Sequence, residues 1–177
     1  SVQNGILNTE LGIPFRTPAE DHNVAFTSLW DNYPDSLEIP LKGKASRAYL
    51  LMAGSTNHMQ CHIDNGVIRV YYKDGTCDVM FLRNPDNWPP IEHIFFEDGL
   101  AFNRHTPALY RLRLKTGEIS NNFGEELGFP GATRELDGGA AVLLEMPLNP
   151  DKKLSHLVLE TLSNDVVIGL MSITLQR

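Results

Sequence analysis

VIRVYYKDGTCDVMFL, residues 67–82, predicts a β-hairpin, because two runs rich in β-branched and aromatic residues flank a turn dipeptide. Asp74-Gly75 favours a two-residue type I′ turn, since both central residues of that turn need positive φ. The loop length then sets which residues face each other across the two strands. One buried side of the hairpin is predicted to carry six uncharged side chains: Ile68, Val70, Tyr72, Cys77, Val79 and Phe81.

Other segments of strand length carry the same signals, with apolar runs separated by Gly, Pro, Asn or Asp. Besides the hairpin, the predicted strands are residues 23–29, 37–41, 47–53, 108–114, 140–146, 154–162 and 166–175. No segment shows a convincing amphipathic helical period. The pattern predicts an all-β protein, a β-sandwich or jelly roll of eight or nine mostly antiparallel strands, in one domain spanning residues 1–177.

The net charge of −7, from 15 basic and 22 acidic residues, argues against a nucleic-acid partner. In the most basic segment Arg111, Arg113 and Lys115 alternate, and we expect them on a solvated strand face. No run approaches the ~20 apolar residues of a membrane span. The two cysteines, Cys61 and Cys77, are predicted to be buried thiols rather than a disulfide or a catalytic pair.

His58, His62 and Asp64, within HMQCHID, are residue types that bind metals. Residues four apart on a strand share a face but lie roughly 13 Å apart along it, which is too far for one ion. A helix or a tight turn would be needed to bring them together. We therefore expect polar loop histidines, with neither a metal nor another cofactor.

Catalytic motifs give weak support for an enzyme. Glycoside hydrolysis needs two carboxylates about 5 to 10 Å apart across a cleft. Five carboxylates qualify by residue type alone: Glu92, Glu97, Asp98, Glu125 and Glu126. A nucleophile turn of the G-x-S-x-G type is missing, as is a glycine-rich phosphate loop leading into a helix. We expect this domain not to be an enzyme, and a stand-alone hydrolase is the least favoured interpretation.

Two loops rich in aromatic and amide side chains are the better candidates for a binding site. Sugars are bound by stacking their C–H faces on aromatic rings, while amides and carboxylates take the hydroxyl groups. The candidate residues are Trp30, Asp31, Asn32 and Tyr33 in one loop, with Asn84, Asn87 and Trp88 in the other. In the alternative interpretation both tryptophans plug the ends of the sandwich, and the neighbouring prolines form rigid corners.

Five segments together resemble a known family. They are GIPF (12–15), FTSLWDNYPD (26–35), AYLLMAGSTN (48–57), NPDNWPPIE (84–92) and NDVVIGLMSITL (164–175). They are similar to the non-catalytic β-sandwich region of large, uncharacterised proteins from gut Bacteroides, which look related to glycoside hydrolases. That region is similar in turn to the galactose-binding-like jelly rolls that accompany many secreted sugar-processing enzymes. The chain departs from the family at Pro89 and His93, where a tryptophan and a glutamine are expected.

The resemblance implies a secreted, periplasmic or cell-surface location and a setting of polysaccharide processing. The chain begins at Ser1 rather than at a methionine, and we expect it to be part of a longer secreted polypeptide. The first hypothesis is a non-catalytic carbohydrate-binding accessory domain. The second is a structural β-sandwich domain that packs against a catalytic domain of the same polypeptide without binding sugar itself.

Overall fold

A computed structural model describes residues 2–17, 22–57, 59–94, 104–123 and 134–177. The described part is all-β, and its named strands pair antiparallel. The strands are β1 Val2–Gln3, β2 Ile6–Asn8, β3 Pro14–Arg16, β4 Ala25–Ser28, β5 Ser36–Pro40, β6 Arg47–Thr56, β7 Gly66–Tyr72, β8 Cys77–Leu82, β9 His93–Ile94, β10 Arg111–Arg113, β11 Ile119–Ser120, β12 Arg134–Glu135, β13 Ala140–Pro147, β14 Leu154–Thr161 and β15 Val166–Gln176.

Two sheets form the body of the protein. The larger has six strands in the order β11-β10-β13-β6-β15-β4, and the smaller has four in the order β5-β14-β7-β8. One buried cluster joins them, since Leu50 and Met52 of β6 share it with Ile68 of β7 and Leu157 of β14. A core enclosed between two antiparallel sheets defines a β-sandwich, so the predicted fold class is confirmed, and the strand order is compatible with a jelly roll.

The strand predictions hold best where the strands are long. Every described strand of four or more residues lies at a predicted position, namely β4, β5, β6, β7, β8, β13, β14 and β15. The predicted strand 108–114 shortens to β10, Arg111–Arg113. The remaining strands have two or three residues each, too few for an alternating pattern to be recognised.

A third, three-stranded sheet of β1, β2 and β3 covers part of the six-stranded sheet on the face away from the main core. Leu7 and Phe15 are the central, buried residues of β2 and β3. They pack with Leu51 of β6 and Leu143 of β13 in a second apolar cluster. This part of the six-stranded sheet is therefore covered by apolar packing on both faces, which explains the nearly continuous apolar run of β6.

The hairpin of β7 and β8 differs from its predicted register by one residue. Tyr71 faces Cys77 and Val67 faces Phe81. The amide of Gly75 donates to the carbonyl of Tyr72 at 3.0 Å, and Gly75 has φ +85°. Lys73-Asp74-Gly75 is therefore a three-residue loop, a turn followed by one left-handed glycine, and not a type I′ turn.

The side chain of Asp74 accounts for this loop. Its carboxylate accepts hydrogen bonds from the Thr76 amide at 3.0 Å and from the Thr76 hydroxyl at 2.6 Å, and it pairs with Lys152 at 2.9 Å. These hydrogen bonds from Thr76 and Lys152 lower the pKa of Asp74 to about 2. An Asp side chain that closes on the amide two residues ahead stabilises a turn in which Asp itself keeps negative φ.

The one-residue shift reverses the two faces of β8. The prediction that Cys77, Val79 and Phe81 are buried is wrong, because all three are exposed. Leu82 is buried in the main core instead, and Met80 packs against it. On β7 the predictions are confirmed, since the remaining three residues of the predicted face are buried, namely Ile68, Val70 and Tyr72. Neither cysteine forms a disulfide, and Cys61 is half-buried.

Tyr72 connects the hairpin to the loop after β13. Its hydroxyl donates to the carboxylate of Asp78 and accepts from the Asn149 amide at 2.7 Å. Burial, followed by the hydrogen bond to Asp78, raises the pKa of Tyr72 from 10.0 to about 12. The neutral phenol is therefore favoured in the folded state.

This shift predicts an alkaline loss of stability. The pKa of Tyr72 is higher in the folded state than in the unfolded state. Its contribution to the free energy of unfolding is therefore fully present below pH 10 and is lost as the pH rises through about 12. Urea unfolding of the wild type and of Tyr72→Phe at pH 9 and pH 11.5 measures it, with the free energy of unfolding falling more in the wild type. Equal falls in the two proteins would contradict the assignment.

The basic strand also differs from its prediction. Arg111 was expected on a solvated face, but it is buried. Its guanidinium donates to the carbonyl oxygens of Pro90 at 2.9 Å, Ile91 at 3.3 Å and Ala140 at 3.1 Å. Burial lowers the pKa of Arg111 to about 10. The Arg111 side chain therefore links β13 to the segment after Trp88 by buried hydrogen bonds.

Candidate functional site

The first candidate loop leaves β4 at Ser28 and folds into a tight turn. The amide of Tyr33 donates to the carbonyl of Trp30 at 3.0 Å, which closes a four-residue turn. The Ser28 hydroxyl donates to the carbonyl of Val166 at 2.8 Å and accepts from the Trp30 amide at 3.3 Å. The Ser28 amide donates to the carbonyl of Pro34 at 3.1 Å. The base of the turn is therefore fixed to the six-stranded sheet.

All four predicted residues of this turn lie at the surface. Trp30 is 50% exposed and Tyr33 is 37% exposed, and Asp31 and Asn32 between them are exposed. The ring of Tyr33 meets the ring of Phe26 edge to face, with centroids 6.3 Å apart and planes at 74°. Phe26 is itself exposed. The turn thus presents aromatic surface, a carboxylate and an amide on four consecutive residues, and we call it the aromatic turn (30–33).

The second candidate loop has its tryptophan inside the protein. Trp88 is 0% exposed and belongs to the main core cluster. Its indole lies against Gly54 of β6, where a β-carbon would come within 2.7 Å of the Cζ2 atom. This burial agrees with the alternative interpretation of Trp88, in which the indole fills the interior of the sandwich. Trp88 is therefore not on a surface that a ligand could contact in this structure.

The amides of the second loop are also used internally. Asn84 is buried, and its side-chain amide donates to the sulfur of Cys61 at 3.5 Å. The side chain of Asn87 accepts from the Arg83 amide at 2.7 Å and donates to the carbonyl of Phe81 at 2.8 Å. These bonds hold the loop in shape. Asn84, Asn87 and Trp88 therefore all make internal contacts, and of the two tryptophans only Trp30 is exposed.

An apolar groove lies beside the aromatic turn, on the face of the six-stranded sheet away from the main core. Its volume is about 380 Å³. Phe26, the ring neighbour of Tyr33, lines it. The full lining is Val24, Phe26, Ala53, Gly54, Ser55, Ile91, Leu114, Val167 and Met171. We call this the apolar groove.

The histidines form a group that the sequence did not predict. His62 is beside Asp86 and His105, with one ligand atom from each side chain within 4.8 Å of the others. Of the other two residues of the HMQCHID segment, Asp64 pairs with Arg83 at 2.5 Å, and His58 lies outside the described residues. Three separate segments supply this group, so no local spacing in the sequence could have revealed it.

The carboxylates considered for glycoside hydrolysis do not form a described pair. Glu92 is half-buried, next to the buried Arg111, whose charge interacts with it. The other four residues, Glu97, Asp98, Glu125 and Glu126, lie outside the described residues. The described geometry gives no placement for a catalytic acid and its partner.

No helix in the described ranges is both long enough and apolar enough to cross a membrane. Comparison of the chain with protein-family models, with curated proteins and with solved structures found no match. What the site can do is therefore decided by the chemistry of its own residues.

Proposed function

We propose that this chain is a non-catalytic carbohydrate-binding accessory domain and that the aromatic turn is its binding surface. The supporting observation is the exposure of Trp30 and Tyr33 on either side of Asp31 and Asn32. An exposed indole is the usual platform for the C–H face of a sugar ring, and a nearby carboxylate and amide can take its hydroxyl groups. The resemblance to sandwich regions of glycoside-hydrolase-related proteins supports the same setting, a secreted, periplasmic or cell-surface polysaccharide-processing protein.

The proposed site is small, which limits the affinity it can reach. Trp88 is buried, so the ligand stacks on the rings of one turn rather than between two tryptophan loops. One indole, one phenol and a few hydrogen bonds correspond to a dissociation constant on the order of 0.1 to 1 mM for a short oligosaccharide. We therefore expect binding to be easiest to detect on polymers, where several domains or several sugar units contribute.

Trp30→Ala is expected to weaken glycan binding at least about tenfold, because it removes the largest stacking surface of the turn. A glycan array identifies a ligand for the wild type, and calorimetry then compares the two proteins on it. Phe81→Ala is the matched control, since Phe81 is also an exposed aromatic but lies on the four-stranded sheet. Equal binding by Trp30→Ala and wild type would refute the proposed site.

The second candidate function is docking onto a catalytic domain of the same polypeptide. The apolar groove favours it, because a contiguous apolar surface next to an exposed Phe26 is a feature of protein–protein contacts. The array experiment separates the two candidates. A wild-type domain that binds no glycan with its aromatic turn intact would leave docking as the better function.

A further inference from the structure

We propose that His62, Asp86 and His105 bind one divalent transition-metal ion, with Zn²⁺ as the best match. This site is separate from the aromatic turn and does not depend on the carbohydrate proposal. His62 follows the point where Cys61 bridges to Asn84, Asp86 lies in the loop after β8, and His105 comes from the segment 104–110. An ion here would join three segments that are far apart in the sequence.

The distances fit an ion better than they fit direct hydrogen bonds. The Nδ1 atoms of His62 and His105 each lie 3.9 Å from Oδ2 of Asp86, beyond hydrogen-bonding range. The two imidazole rings are stacked, with centroids 4.5 Å apart and planes at 25°, so one ring has to rotate before both Nδ1 lone pairs point at one ion. Two nitrogens and one oxygen therefore surround a small gap without closing it.

The gap has the dimensions of a coordination site. One ligand atom from each of the three side chains lies within 4.8 Å of the others, and three such atoms all lie within about 2.8 Å of a common point. Zinc–nitrogen and zinc–oxygen bonds are about 2.0 to 2.2 Å long. Movements of roughly 0.6 Å, which side-chain rotation supplies, would bring all three atoms to bonding distance.

The carboxylate is already held in position for this role. Oδ1 of Asp86 accepts from the His105 amide at 2.6 Å, and the Asp86 carbonyl accepts from the Thr106 hydroxyl at 2.8 Å. These bonds fix the carboxylate against the segment that carries His105 and leave Oδ2 directed toward the two Nδ1 atoms. A ligand fixed by neighbouring hydrogen bonds loses less entropy when a metal binds.

The backbone around His62 also holds this residue in a fixed position. Its backbone has φ +56°, a left-handed conformation that is uncommon outside glycine, and its amide is tied to the carbonyl of Asn84 at 2.7 Å. The fold thus fixes the position of His62 before any ion binds, as it does for the carboxylate of Asp86.

The donor set selects the type of ion. Ca²⁺ and Mg²⁺ prefer oxygen ligands, whereas two imidazole nitrogens with one carboxylate are typical of Zn²⁺ and other first-row transition metals. A single carboxylate partly offsets the charge of a dication. Because the protein supplies three ligands, at least one coordination position is left for water.

Zinc titration of the chelator-treated chain tests the proposal, with elemental analysis for stoichiometry and thermal unfolding as a second readout. We expect one Zn²⁺ per chain and a higher Tm with zinc, because an ion bound only to the folded state stabilises it. His105→Ala and Asp86→Asn should each weaken binding at least about a hundredfold. His105 is largely exposed, and the side-chain oxygen that Asp86→Asn retains can still accept from the His105 amide, so both variants should fold.

His156→Ala is the matched control and should bind zinc like the wild type. His156 stacks on Tyr71 in the four-stranded sheet, with centroids 4.8 Å apart, and is not part of the histidine group. The proposal is overturned if the wild type binds no stoichiometric zinc. It is equally overturned if His105→Ala and Asp86→Asn bind as tightly as the wild type, or if His156→Ala loses the ion as well.

Discussion

Trp88→Ala is expected to lower the free energy of unfolding by about 3 to 5 kcal/mol, the range for truncating a large buried aromatic residue. Trp88 is 0% exposed and lies in the cluster that joins the two main sheets. Its removal leaves a cavity that the surrounding strands cannot fill, since β6 is held by neighbours on both sides. Urea unfolding monitored by circular dichroism measures the loss.

The position opposite Trp88 shows how closely the indole is packed. A β-carbon at Gly54 would lie 2.7 Å from Cζ2 of Trp88 and 2.0 Å from the carbonyl oxygen of Val167. Such distances are well below van der Waals contact, so only glycine fits there. Gly54 and Trp88 therefore form one packing unit in which the indole fills the space that a side chain on β6 would otherwise occupy.

Trp30→Ala is the matched control for this prediction, because it truncates the other tryptophan at an exposed position. Changes at such surface positions usually alter stability by less than about 0.5 kcal/mol. Trp88→Phe should fall between the two, since a phenyl ring fills part of the cavity. If Trp88→Ala proved as mild as Trp30→Ala, the plugging role of Trp88 would be wrong.

The sequence could predict the sandwich because strand periodicity is local. The long strands β6, β14 and β15 are recognisable from their own apolar patterns. The register of the hairpin could not be obtained in the same way. There the bonds from Thr76 to the carboxylate of Asp74 favour a three-residue loop over the type I′ turn that Asp-Gly favours on its own.

The same distinction between local and long-range information applies to the candidate site. The composition of the two aromatic loops gives no signal for which tryptophan is buried, because Trp88 packs against Gly54, which lies far away in the sequence on β6. The histidine group is even harder to predict from the sequence, since His62, Asp86 and His105 come together only in the folded chain. Residue types therefore identify candidate site residues, and long-range packing determines which of these residues face solvent or one another.

The guanidinium of Arg111 holds the segment after Trp88 against the six-stranded sheet by hydrogen bonds. It donates to three carbonyl oxygens of that segment, those of Pro90, Ile91 and His93, and to the carbonyl of Ala140 on β13. Proline lacks an amide, so Pro89 and Pro90 cannot tie the segment down by donating to a sheet. The arginine instead supplies donors from the opposite side, and its planar fork suits several acceptors at once.

Arg111→Met is expected to destabilise the protein by about 1 to 3 kcal/mol, because four carbonyl oxygens lose a charged donor. Those of Pro90 and Ile91 still accept from the amides of His93 and Ala140. Arg111→Lys should recover only part of this stability, since an ammonium group cannot reach the same set of acceptors in a fixed plane. Arg47→Met is the control, because Arg47 pairs with Glu145 at the surface, where ion pairs contribute about 0 to 1 kcal/mol. Urea unfolding of the three variants measures these differences. If Arg111→Met lowered the free energy of unfolding no more than Arg47→Met does, the prediction would be wrong. Water would then replace the guanidinium as the donor to the four carbonyl groups, and Arg111 would not stabilise this segment.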